Sequence, residues 1–112
     1  MDMAHYLYRF SFTADTVKNL MANPQDRREA AGRVFAAHGG KMLSYYWMMG
    51  EFDGLAICDF PDSMSAVAVS MTVSASGAFT RFETAPLLTM EEALAAIGTA
   101  RKASGSYQPP GR

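Results

Sequence analysis

The chain has 112 residues, 49% of them hydrophobic and 19% charged, with a formal net charge of −1. That composition describes one globular domain, large enough to bury roughly two thirds of its unfolded surface. Ten basic residues against 11 acidic ones leave no positive footprint for nucleic acid or an anionic membrane. A single cysteine, Cys58, excludes an internal disulfide.

In chain order, the first expected element is a strand over His5 to Phe12, with Tyr6, Tyr8, Phe10 and Phe12 on one face and His5, Leu7, Arg9 and Ser11 on the other. Thr13 caps a short helix over Ala14 to Met21. Asn23-Pro24 is expected to restart the helix, Asn as cap and Pro at the first position, where a missing N–H costs nothing. That second segment runs to about Ala37, with Ala30, Val34, Phe35 and His38 on one stripe, and Gly39-Gly40 stops it. His38 stands where the helix dipole favours a capping imidazole.

The most informative stretch is Lys41 to Asp62, KMLSYYWMMGEFDGLAICDFPD, which reads as two strands apolar on both faces. Gly50-Glu51 suits a two-residue hairpin loop. It would pair Met49 with Phe52, Met48 with Asp53, Trp47 with Gly54, Tyr46 with Leu55 and Tyr45 with Ala56. One face then carries Leu43, Tyr45, Trp47 and Met49 opposite the small Gly54, Ala56 and Cys58, with Phe52 and Phe60, and is expected beneath helices. Cys58 is accordingly a small core residue rather than a nucleophile. The other face carries Met42, Ser44, Tyr46, Met48, Asp53, Leu55, Ile57 and Asp59. It is too apolar for bare solvent and too polar for an ordinary core, so a second subunit, a ligand or both are expected on it.

Pro61-Asp62 opens a helix over Ser63 to Ser74, with Met64, Val67, Ala68, Met71 and Ala75 at core spacing. Gly77 turns into a strand from Phe79 to about Thr84. Thr89-Met-Glu-Glu92 is a capping box for a last helix, Met90 to Lys102. The order strand, helix, strand, strand, helix, strand is an α+β, ferredoxin-like βαββαβ sandwich with an extra C-terminal helix. Its four-stranded antiparallel sheet has spatial order 4-1-3-2 and helices on one face only. The domain spans 1–102. The tail 103–112, ASGSYQPPGR, cannot bury enough apolar area to order itself, and Tyr107 with Pro109-Pro110 is expected to pack on a neighbouring subunit.

Several residues also carry a family resemblance. Met49-Gly-Glu-Phe-Asp-Gly-Leu-Ala-Ile57, Asp59-Phe-Pro-Asp62, the alanine-rich helix after it and Phe79-Thr-Arg-Phe-Glu-Thr84 together resemble the GYD-domain family over about residues 5 to 100. The resemblance implies a ferredoxin-like fold whose sheets pack face to face into a dimeric α/β barrel, in small bacterial proteins with no common activity. Gly50, Glu51, Phe52 and Asp53 match the Gly-x-Tyr-Asp stretch that names the family, with phenylalanine in place of tyrosine. Related barrels include cofactor-free monooxygenases, haem-binding enzymes, lactone isomerases and catalytically silent stress proteins, an analogy of fold that licenses no reaction.

Candidate chemistry gathers on the mixed face, where alternation places His5, Arg9, Tyr46, Asp53, Asp59, Arg81 and Glu83. The Arg9 strand lies between those of Asp53 and Arg81, so an ion-pair ladder across the sheet is one reading. The other is a site in which Arg9, Tyr46 and Arg81 bind a ligand while His5 and Asp53 act as acid or base. Two histidines and one cysteine without zinc-like spacing predict no metal. No phosphate loop, nucleophile elbow or dinucleotide fingerprint appears, and no cofactor is expected. The aromatic strand faces lack the basic interleaving of an RNA-binding sheet. No leader-like segment precedes His5 and no apolar run approaches the roughly 20 residues of a membrane span, so the cytoplasm is the expected compartment. These readings converge on a homo-oligomer that binds a small hydrophobic or anionic molecule. The alternative is a cofactor-independent monooxygenase- or isomerase-like enzyme acting on a small carbonyl or phenolic compound, in a pocket between helices and sheet.

Overall fold

The computed structural model describes residues 3–111. Strands β1 (Ala4–Phe12), β2 (Lys41–Trp47), β3 (Gly54–Phe60) and β4 (Phe79–Leu87) form one antiparallel sheet in the order β2-β3-β1-β4. Helices α1 (Ala14–Ala22), α2 (Arg28–Ala37) and α3 (Ser63–Ser74) lie along it, followed by α4 (Met90–Lys102) and a 3-10 turn, Ser104–Ser106. The ferredoxin-like order expected from the sequence is therefore the one observed.

The alternation of β1 decides the layers. Tyr6, Tyr8 and Phe10 are buried beneath the helices, while Leu7 and Arg9 face outward. Tyr8 is the centre of the core. Its ring packs at 5.0 Å from Phe35 of α2, 6.2 Å from Phe60 of β3 and 5.8 Å from Phe82 of β4, and its hydroxyl donates to the Ala66 carbonyl of α3 at 2.7 Å. One side chain thus ties three strands and two helices together, and its buried polar atom is satisfied. His38, the C-cap of α2, joins the helices at one end: its Nδ1–H donates to the Val34 carbonyl (2.8 Å) and its Nε2 bonds the Thr72 hydroxyl (2.9 Å). Cys58 is fully buried, and burial pushes its thiol up to about 12, which leaves it inert as a nucleophile at neutral pH.

Several sequence expectations are corrected. The hairpin pairs Trp47 with Gly54, Tyr46 with Leu55 and Tyr45 with Ala56 as read, but a bulge then sets in between Met42 and Ser44. Met42 consequently pairs with Cys58 and packs on the core, whereas Leu43 is exposed. An extra residue inverts the alternation on its far side. The tight loop over Gly50-Glu51 is absent. The last ladder bond runs from Met48 N–H to the Asp53 carbonyl (2.8 Å), Met49 is fully exposed, and Phe52 is buried on the outer face of the sheet instead of under the helices.

Asn23-Pro24 does not restart a helix. Asn23 is the C-cap of α1, and α2 begins at Arg28, whose N–H donates to the Asp26 carboxylate (3.0 Å). That carboxylate outcompetes Asn23 as the local acceptor and leaves residues 24–27 as an open linker. In α3 the buried residues are Ala66 and Val69, while Met64, Val67 and Met71 are exposed. The helix is apolar on every side, so spacing alone cannot choose its buried face. Strand β4 extends past Thr84 to Leu87 and accommodates Pro86 because it is an edge strand. The tail does hold local order in its 3-10 turn, with Ser106 N–H donating to the Ala103 carbonyl.

Close approach fixes one glycine. A Cβ on Gly54 would lie 2.6 Å from the Phe10 ring. We expect Gly54→Ala to lower the unfolding free energy in urea by about 1–3 kcal/mol through overpacking, and Phe10→Leu in the same chain to recover part of that loss. Strict additivity of the two changes would show that the contact does not constrain the sheet.

Candidate functional site

Two candidate sites lie on opposite faces of the sheet. On the outer face, cross-strand neighbours neutralise one another. Arg9 stands opposite Glu83 and donates to it at 2.8 Å; His5 stands opposite Asp59 and contacts it through Nδ1. Arg81 reaches the β2–β3 turn, donating from Nη1 to the Glu51 carboxylate (2.9 Å) and from Nη2 to the Glu51 carbonyl (3.0 Å), which also accepts from Ser11 Oγ (3.2 Å).

The guanidinium carbons of Arg9 and Arg81 sit 4.3 and 4.5 Å from the centroid of Phe52, which is only 2% exposed. Two cations thus share one aromatic ring. Asp53 does not join the expected ladder with Arg9; its Oδ2 accepts the Phe12 N–H at 2.8 Å, while its own N–H donates to the Phe10 carbonyl at 2.9 Å. Glu51, Phe52 and Asp53 together clamp the turn onto β1 and β4. None of these contacts requires a phenol, which accounts for phenylalanine at position 52. Tyr46 is exposed near the same turn.

Of the residues singled out in sequence, Arg9, Asp53 and Arg81 are therefore brought together around one turn, each engaged with protein groups. His5 sits at the far end of β1 with Asp59, and Tyr46 stands apart. Among the described residues no group of three or more His, Cys, Asp or Glu side chains could hold a metal ion, and no helix is long and apolar enough to cross a membrane.

The second site is a cavity of about 700 Å³ between the inner face of the sheet and the helices. Phe10, Phe12, Phe79 and Phe82 form its aromatic floor, with Val34 of α2 on its roof. These rings touch one another at 5.1–5.8 Å, so the floor is preformed. Asn19, Asn23, Gln25 and Arg27 bring polar groups from α1 and the linker. None of His5, Arg9, Asp53 or Arg81 lines it. The lining residues include no Asp, Glu, His or Lys; Arg27 is the one formal charge. Burial raises the pKa of the Tyr45 phenol at this site.

A pocket between helices and sheet is expected from the sequence only for the enzyme alternative, and none of the candidate site residues lines it. Arg27 is not among the candidate site residues, and Tyr45 is placed on the face beneath the helices. The available signal was Asn23-Pro24-Gln25-Asp26, whose Asx and proline residues also describe a loop able to hold a helix off the sheet.

With sheet order and site geometry fixed, the molecule is a ferredoxin-like α+β protein with one open sheet face. The GYD domain family matches residues 6–97, and the chain belongs to that family. No curated protein matches it in sequence. Among solved structures, it is similar in fold to 30S ribosomal protein S6 from Thermotoga maritima, with a TM-score of 0.50 and 13% identity over 92% of this chain and 99% of that one. At that identity the likeness concerns the fold alone.

The outer-face clamp is pH-dependent. The Arg81 hydrogen bond and charge hold the Glu51 carboxyl below its ordinary value of 4.5. A depressed carboxylate contributes stability above its unfolded-state pKa and loses it as pH falls through the folded value. In urea unfolding followed from pH 7 to acid, Glu51→Gln is expected to flatten the stability loss below the ordinary carboxylate range. Superimposable acid limbs for the two proteins would mean that the turn is not held by this pair.

Proposed function

We propose that this protein is a homo-oligomeric binder of a small hydrophobic molecule, held in the cavity between the helices and the inner face of the sheet. The observation that carries this reading is the cavity itself. At about 700 Å³, with a preformed aromatic floor and one formally charged residue among the described lining, it has the size and character of small-molecule sites. Binding is favoured over turnover because no acid–base pair lines it; the candidate acids and bases lie across the sheet, engaged with one another or with backbone.

Oligomerisation is supported by what the chain leaves uncovered. Helix α4 is held at its start by a complete capping box, Thr89 Oγ1 accepting the Glu92 N–H (3.1 Å) and Glu92 Oε1 accepting the Thr89 N–H (2.9 Å). Yet none of its residues is buried, and Met90, Leu94 and Ile97 are exposed at i, i+4, i+7 spacing. A helix with that stripe needs an apolar surface to lie on. The radius of gyration, 17.7 Å, exceeds the roughly 13 Å of a compact domain this size, as expected of an arm shaped for a partner. The outer sheet face suits a second copy. Its ion pairs are internally balanced, so two such faces meet without net repulsion, and Leu7, Leu55 and Ile57 between them are only half-exposed.

Two measurements check these parts separately. Native mass spectrometry is expected to find an even-numbered oligomer that Leu94→Glu combined with Ile97→Glu converts to monomer; a monomeric parent protein would sink the assembly. The neutral fluorescent probe N-phenylnaphthylamine is expected to bind the parent protein saturably and Ala30→Trp, which fills the cavity, at least about tenfold more weakly, a loss of about 1.4 kcal/mol. Equal binding by the two would place the probe elsewhere and remove the case for this cavity.

A further inference from the structure

The cavity has a charge asymmetry that its apolar walls leave open. Of the 21 residues that line it, Arg27 alone is charged. A lone guanidinium beside a cavity ordinarily finds a carboxylate of its own chain. Here the nearest acid in sequence, Asp26, is taken by Arg28: Nε donates to both carboxylate oxygens at 3.0 Å and Nη2 to Oδ2 at 2.6 Å. Arg28 is also the main reason that Asp26 is drawn down to about 2. The next acid, Glu29, pairs with Arg33 one helical turn on. Arg27 is left with the neutral amide oxygen of Gln25, at 2.9 Å.

Its position is directed as well as uncompensated. Gln25 and Arg27 lie on the linker at one side of the cavity, which Tyr45 also lines, from β2. Arg27 and Tyr45 are thus donors in a cavity whose floor is aromatic. The phenol remains protonated at neutral pH because burial raises its pKa, so it donates rather than accepts. A guanidinium and a phenol together satisfy an oxyanion through charge-assisted hydrogen bonds. Phe10, Phe79, Phe82 and Val73 supply apolar lining, with the hydroxyl residues Thr16, Thr72 and Ser76 also facing the cavity.

We infer that the ligand is an organic monoanion with an aromatic or otherwise flat apolar body, its carboxylate (or equivalent oxyanion) held by Arg27 and Tyr45 and its body on the phenylalanine floor. This rests on the cavity being the binding site and adds the sign of the ligand's charge and the residues that read it. A cationic ligand would meet Arg27 with no carboxylate to offset it. A neutral ligand would use the floor and gain only a weaker, uncharged hydrogen bond from Arg27 or Tyr45.

The test compares naphthoate with naphthalenemethanol, which share a body and differ in charge, by isothermal titration calorimetry. The parent protein is expected to bind the acid about 10–100-fold more tightly than the alcohol, the range of a hydrogen bond to a charged group. Arg27→Gln is expected to remove that preference by weakening the acid far more than the alcohol, with Arg27→Lys keeping part of it. Tyr45→Phe should weaken the acid several-fold and the alcohol little. Arg27 is exposed and Tyr45→Phe removes only a hydroxyl, and circular dichroism spectra check that each variant keeps the fold. Equal binding of acid and alcohol by the parent protein, or a preference that survives Arg27→Gln, overturns the inference while the apolar cavity still stands as a binding site. Failure of both compounds to bind, with N-phenylnaphthylamine indifferent to Ala30→Trp, overturns the cavity and this inference together.

Discussion

Tyr8 is the constraint on which the rest of the structure depends. It stands on β1, the strand flanked by β3 and β4, with its ring against Phe35, Phe60 and Phe82 and its hydroxyl on the Ala66 carbonyl. Towards Ala4 the space beneath the helices is filled by Tyr6, Cys58, Phe60 and Val69. Towards Phe12 the same layer holds Phe10, Phe12 and Phe79 around open volume. The Tyr8 contacts tie α2 and α3 to the sheet, and the open volume beside them is lined also by α1 and by the linker 24–27. A cavity beside a well-packed core results from one layer having two ends of different length, and no strained backbone is needed: among the described residues positive φ occurs only at glycine.

The two faces of the sheet solve different physical problems with similar residues. On the inner face, aromatic rings meet rings and exclude water, which gives hydrophobic stabilisation and a smooth wall. On the outer face, Arg9 and Arg81 converge on Phe52 from two strands, each also bonded to a carboxylate. Like charges so close together are tolerable because Glu83 and Glu51 neutralise them and the ring's negative face attracts both. The turn that names the family is therefore an anchoring device in this chain: it closes the end of the β2–β3 hairpin against β1 and β4 and presents a balanced surface outward. Exposed pairs of this kind add little stability singly; their value here is to fix the turn and keep the face neutral.

Much of the site was legible only as a list of residues without a geometry. Alternation along β1 correctly put His5 and Arg9 on the outer face and the aromatics on the inner, because a strand's period of two is insensitive to tertiary context. It failed on the Lys41 side of the bulge at Leu43 and at the turn, where Phe52 leaves the inner face, since one inserted residue reverses every assignment beyond it. It failed in α3 for a different reason: Met64, Val67 and Met71 make as good a stripe as Ala66, Val69 and Val73, and only packing chooses between them. Arg27 could not be recognised from its neighbours because its significance lies in Asp26 turning to Arg28, a choice of rotamer rather than of residue type.

The sequence by itself determined the element order, the ferredoxin-like topology and the family, because hydrophobic period, helix caps at Thr13, Asp62 and Thr89, and the Gly50 to Asp53 stretch are local and survive without knowledge of contacts. Folding decided which face of α3 is buried, where α2 begins, how Arg9 and Arg81 come to share Phe52, and that Arg27 is the one charged residue among the described lining of the cavity. Each of these depends on which of several chemically equivalent partners a side chain reaches, and that competition is settled by distance in the folded chain rather than by spacing along it.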